Sequence, residues 1–96
     1  MQIKFQLIDE LIAIDERLHA DFAAGKISDD FKLMAMRFEF HLRAYCKSRK
    51  FHYFSNKKIL KQWAEFTKLF RFDNSTQDAS IGLAHITIYE LLQLLY

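Results

Sequence analysis

This chain contains no proline, no valine and only two glycines, Gly25 and Gly82. Proline is the residue that most readily stops a helix, and valine is among those most at home in a strand. The tight hairpins of a sheet need Gly- or Asn-rich turns at positive φ, and two glycines supply few of them. Leu, Ala, Met, Lys, Glu and Phe fill the sequence instead, and the β-branched residues cluster near its two ends. The expected fold is all-α: a compact bundle of about four helices built on an N-terminal αα-hairpin. With 96 residues, about half of them apolar, the chain suffices for one domain over 1–96 with a core that needs no disulfide or metal.

The helical periods can be followed along the chain. From Phe5 to Ala24 the apolar residues Leu7, Leu11, Ile14, Leu18 and Phe22 recur at three and four, with Ile8 and Ile12 widening the stripe. Gly25 suits the left-handed position past a helix end. Ser28-Asp29-Asp30 is a helix start, with a hydroxyl to cap a free N–H and two carboxylates to complement the dipole. Phe31, Met34, Ala35, Phe38, Leu42 and Tyr45 then trace a core face, and Leu33, Met36 and Phe40 form a second stripe expected to be buried as well. A third helix, capped by Ser55 or Asn56, carries Ile59, Trp63, Phe66 and Phe70 inward, with Leu60 and Thr67 beside them and Lys58, Lys61, Glu65 and Lys68 on its wet face. After the polar loop Asp73–Asp78, a last helix begins near Asp78 or Ser80, or else at a capping box on Thr87-Ile88-Tyr89-Glu90. Its inward positions are Ile81, Ala84, Ile88, Leu92 and Leu95.

One stretch argues the other way. Met36 to Arg43 alternates apolar and polar residues as a strand does. Pairing it with Phe51–Phe54 gives an α+β alternative in β-α-β-β-α-β order, with 36–54 as a hairpin. The helical reading is preferred because 28–58 lacks Val, Ile and Thr, and Lys47–Lys50 lacks the Gly or Asn of a hairpin turn.

Charge is distributed unevenly. Residues 1–39 carry a net −3 and 65–96 a net −2, while 40–64 carry seven bases and no acid. Within that segment Lys47, Arg49, Lys50, Lys57, Lys58 and Lys61 interleave with Phe51, Tyr53 and Phe54. If the third helix starts at Ser55 or Asn56, Lys57 and Lys58 occupy its first turn, where an exposed cation costs on the order of 0.3–1 kcal/mol and a bound anion reverses the sign. Lys47, Arg49, Lys50, Tyr53, Lys57, Lys58 and Lys61 are therefore the expected anion- or partner-binding set. A second expected contact is apolar: Leu91, Leu94, Leu95 and Tyr96 crowd the last helix beyond what one core face needs, and suit self-association or a protein partner.

Chemical motifs are sparse. The sequence has no phosphate-cradling glycine loop, nucleophile elbow, zinc helix motif or paired-cysteine motif. Asp15 and His19, four apart, could offer two metal ligands, but the spacing fits a solvated helical pair better, and no metal or other cofactor is expected. Glu39 and Arg43 fit an ion pair, and Cys46 a small apolar filler. The lone cysteine suggests a reducing compartment, hence the cytoplasm, and no run is long and apolar enough to reach across a bilayer. The expected function is a small non-enzymatic interaction protein, of the adaptor, inhibitor or regulator type, that binds a macromolecular partner. The preferred partner is a protein or a second copy; the alternative is a nucleic-acid-binding module using the basic-aromatic segment 47–61. No contact with a membrane is expected.

Overall fold

Gly25 sits at φ 79°, in the left-handed region, and closes the first helix, α1 (Ile3–Ala24). Its N–H donates to the Phe22 carbonyl at 3.0 Å, and the Lys26 N–H reaches the Asp21 carbonyl at 3.1 Å. These two bonds form a Schellman motif, which satisfies carbonyls the helix would otherwise leave open. Ser28 then caps α2 (Asp29–Ser48), its Oγ accepting from the Phe31 N–H at 3.1 Å, with Asp29 and Asp30 in the first turn. Two further helices follow, α3 (Tyr53–Lys68) and α4 (Asp78–Leu95). The computed structural model describes the backbone of residues 3–69 and 78–96, and the side chains of 3–69 and 82–96.

The expected four-helix bundle is the fold, and among the described residues there is no strand. The α+β alternative fails because α2 runs unbroken through the alternating stretch to Ser48, and 36–54 is helix, corner and helix start rather than a hairpin. Burial agrees: a strand would place Met36, Phe38, Phe40 and Leu42 on one face, whereas Phe38 and Leu42 are buried and Met36 and Phe40 are exposed.

α1 and α4 form the central pair; α1 takes α2 on its other side and α4 takes α3. α1 packs antiparallel on both α2 and α4, and α2 meets α3 only lightly. The α1–α4 register is pinned at one end by Lys4, whose Nζ donates to the Tyr96 carbonyl at 2.9 Å, and midway by Asp15, 3.1 Å from His85. Leu7, Leu11, Ile14 and Leu18 of α1 meet Phe31, Phe38 and Leu42 of α2, Ile59, Trp63 and Phe66 of α3, and Ala84, Ile88, Leu91 and Leu95 of α4 in one core. Aromatic rings fill the α2–α3 seam, with Phe38 and Trp63 centroids 4.6 Å apart and Trp63 stacked on Phe66 at 5.3 Å. The Trp63 indole N–H donates to Glu39 Oε1 at 2.8 Å, so the one polar atom of that ring is satisfied. The radius of gyration, 13.3 Å, is close to the about 13 Å of a compact chain this long.

Several details differ from the sequence reading. α1 begins at Ile3 rather than Phe5. α3 begins at Tyr53, with His52 before it and no side-chain cap, so neither Ser55 nor Asn56 caps it. Of the two expected starts of α4, the one near Asp78 is observed, and the alternative at Thr87 is not: Thr87 lies inside the helix with its hydroxyl donating to the Leu83 carbonyl at 2.7 Å. The second stripe of α2, Leu33, Met36 and Phe40, is exposed rather than buried, because α1 and α3 pack on the other side of that helix and none of the described residues covers this one. Ile12 is exposed as well. Phe70, the loop 73–77 and the side chain of Ile81 lie outside the described residues.

Candidate functional site: the basic corner and the outer face of α2

The connection between α2 and α3 is a four-residue corner, Arg49 to His52, held from beneath by one side chain. Asn56 Nδ2 donates to the Cys46 carbonyl at 2.9 Å and to the Arg49 carbonyl at 2.7 Å. A residue on the first turn of α3 thus gives a second donor to carbonyls at the end of α2 and in the corner, beside the backbone N–H groups that reach them. The Arg49 N–H also returns to the Cys46 carbonyl, at 3.1 Å. The Arg49 guanidinium lies 4.8 Å over the Tyr45 ring and 3.4 Å from Ser55 Oγ. That partly buried position makes Arg49 a structural cation as much as a surface one.

The corner projects aromatic rings outward. Phe51 is 99% exposed, and Tyr53 and Phe54 stand beside it edge to face, centroids 5.6 Å apart. Lys47, Lys50, Lys57, Lys58 and Lys61 are all exposed, and none forms an ion pair among the described residues. The expected set of Lys47, Arg49, Lys50, Tyr53, Lys57, Lys58 and Lys61 is therefore gathered at and beside one corner. Because α3 starts at Tyr53, Lys57 and Lys58 sit in its second turn, and the open N–H groups belong to Tyr53, Phe54 and Ser55. The helix start gives no special affinity to an anion beside Lys57; what remains is a cluster of lysines without acids.

The uncovered stripe of α2 leads into this corner. Leu33, Met36, Phe40 and Lys47 fall on one side of the helix by their spacing, and Phe40 is 72% exposed. Glu39 and Arg43, 3.7 Å apart, lie beside the stripe as the expected ion pair and form one wall of a groove at the light α2–α3 seam, completed by Leu60, Trp63, Ala64 and Thr67. Sequence spacing identified this stripe and misjudged its cover, since the periodicity of an apolar stripe does not say whether a neighbour lies against it.

The expected apolar interface on α4 is divided. Leu91 and Leu95 are 0% and 1% exposed, members of the chain's own core, and are not available to a partner. Their crowding in the sequence is explained by the contacts of α4 with both α1 and α3. Leu94 and Tyr96 are exposed, and Leu83, Ile86 and Tyr89 join them on the outward side. Cys46 is buried, and burial pushes its thiol above the ordinary value, opposed in part by the Arg49 charge.

Other polar side chains gather away from this corner. Glu10 Oε1 meets His41 Nδ1 at 2.7 Å across the α1–α2 seam. Asp15 meets both His19 and His85 at the α1–α4 seam. No helix among the described residues is long and apolar enough to cross a membrane. Comparison with known protein families, with curated proteins and with solved structures finds no match to this chain.

Proposed function

We propose that the protein is a non-enzymatic interaction module, of the adaptor, inhibitor or regulator type, whose partner is a protein presenting an acidic, partly apolar surface. The observation that carries this reading is the continuity of the bare α2 stripe, Leu33, Met36 and Phe40, with a corner of exposed lysines and aromatics. Exposed apolar side chains at regular helical spacing gain by being covered, at about 25 cal/mol per Å² of apolar surface removed from water. The lysines around them select the sign of what covers them and speed its approach. A protein surface uses both features, whereas a nucleic acid backbone uses the lysines and leaves Leu33 and Met36 without a role.

The test is capture of partners from cells of the native host, with the intact protein and two variants. Met36→Glu/Phe40→Glu alters the stripe, and Lys57→Glu/Lys58→Glu alters the corner. All four positions are exposed, so the fold is expected to survive. The reading expects the same protein to be lost by both variants and retained after nuclease treatment. Retention by both variants overturns it. Loss on nuclease treatment, with binding to a random duplex that falls steeply with salt, moves the assignment to the nucleic-acid alternative. A light-scattering mass of two chains, reduced by the stripe variant, would identify the partner as a second copy.

A further inference from the structure

We infer that Asp15, His19 and His85 form a binding site for a divalent transition-metal ion of the zinc type, placed across the α1–α4 seam. Asp15 and His19 are one turn apart on α1, and His85 comes from α4, seventy residues further along the chain than Asp15. One donor atom from each residue can be chosen so that all three lie within 4.8 Å of one another, and this is the one such group of three among the described residues. Both rings converge on a single oxygen: His85 Nδ1 is 3.1 Å and His19 Nδ1 3.5 Å from Asp15 Oδ1.

Those distances are the spacing a metal requires. At bond lengths of roughly 2.0–2.1 Å, two ligand atoms on a tetrahedral ion are about 3.3 Å apart. An ion between Asp15 Oδ1 and His85 Nδ1 takes the place of the proton they share in the metal-free protein, with little movement of either. His19 completes the set by a ring rotation. Its Nδ1 also lies 2.8 Å from the Asp15 carbonyl oxygen, a contact that this rotation exchanges for the ion. The two imidazoles stand edge to face, centroids 5.3 Å apart and 82° between planes, so their in-plane lone pairs do not block one another.

The surroundings suit an ion rather than a packing role. Both histidines are about half exposed and neither belongs to the core, so the cluster is in contact with solvent. Two imidazoles and one carboxylate favour a borderline cation such as Zn²⁺ over hard Mg²⁺, which prefers oxygen ligands and keeps its waters. Three protein ligands leave one position for water or for a group from elsewhere. Because its ligands come from α1 and α4, the bound ion ties together the two helices on which α2 and α3 are separately carried.

The experiment uses untagged protein. Zinc is titrated calorimetrically against the intact chain and against His85→Ala, His85→Gln, His19→Ala and Asp15→Asn, with His52→Ala, an exposed histidine outside the cluster, as control. Circular dichroism checks that each variant keeps its helices. The expected result is one zinc per chain, affinity reduced at least about tenfold in each cluster variant and unchanged in the control. Zinc, but not magnesium, should also raise the melting temperature of the intact protein, and this shift should vanish in His85→Gln. No zinc binding by the intact chain overturns the assignment. So does a His85→Gln protein that binds zinc, or is stabilised by it, as the intact one is.

Discussion

The carboxylate of Asp21 receives both donors of Ser28, the backbone N–H at 2.9 Å and the side-chain hydroxyl at 2.7 Å, through the same Oδ2. Its other oxygen lies 3.1 Å from Arg17 Nε, and the residue is 3% exposed. The last full turn of α1 thus fixes the residue that caps α2, and the angle of the hairpin is set by hydrogen bonds as well as by packing.

Asp21→Ala should destabilise the protein by about 2 kcal/mol, since it leaves the part-buried N–H and hydroxyl of Ser28 without their acceptor and Arg17 without its ion-pair partner. Ser28→Ala should cost about 1 kcal/mol through the lost cap. The double variant should cost less than the sum, because the two residues share one set of bonds. Urea unfolding followed by circular dichroism measures all three; strict additivity would mean that the two residues act independently.

Asn56→Asp tests the brace at the α2–α3 corner. The replacement has the same shape but presents carboxylate oxygens to the Cys46 and Arg49 carbonyls, where Asn56 presents N–H groups. It should be at least as destabilising as Asn56→Ala, both in the range of about 1–3 kcal/mol. Hydrogen exchange should locate the loosening in the last turn of α2.

Leu91→Ala and Leu94→Ala distinguish core from surface on neighbouring turns of α4. The first empties a fully buried position and should cost roughly 2–5 kcal/mol; the second trims a partly exposed side chain and should cost under about 1 kcal/mol. Comparable losses would contradict the assignment of Leu91 to the interior.

Cys46 gives a pH dependence whose sign is fixed. Burial raises its thiol above the ordinary 9.0, so in alkaline solution the unfolded chain loses this proton before the folded one does. The folded state then binds more protons, and the thiol's contribution to stability, present in full below 9.0, is lost as pH rises above it. The decline should be smaller in Cys46→Ala, compared by urea unfolding across alkaline pH. Reaction with a disulfide reagent should also be slower in the native protein than after denaturation.

What could be read from the sequence was local. Gly25, Ser28-Asp29-Asp30 and the three-and-four spacing of Leu7, Leu11, Ile14 and Leu18 act through near neighbours, and the hairpin they indicate is present as expected. The start of α3 was misplaced because Phe51, His52, Tyr53 and Phe54 carry no capping signal, and because Asn56 reaches back to α2 instead. Leu33, Met36 and Phe40 have helical spacing just as Phe31, Phe38 and Leu42 do; only the placement of α1 and α3 determines which set is covered. For the basic segment, the sequence identified its members but not which turn of α3 would present them. His85 was beyond the reach of spacing arguments, since its partner Asp15 is on another helix.

The contact between Lys4 and the Tyr96 carbonyl places the start of α1 beside the end of α4, and Asp15 meets His85 eleven residues inward on each helix. A force applied at Lys4 and Tyr96 therefore peels these helices apart pair by pair, as a zip opens, instead of sliding one along the other. Resistance is met one contact at a time, first from the core side chains Leu7, Leu11, Leu91 and Leu95 and then, about 16 Å along each helix, from Asp15 and His85. An ion held there would act as a stop, leaving the first turns free to separate while the remainder of the bundle carries the load.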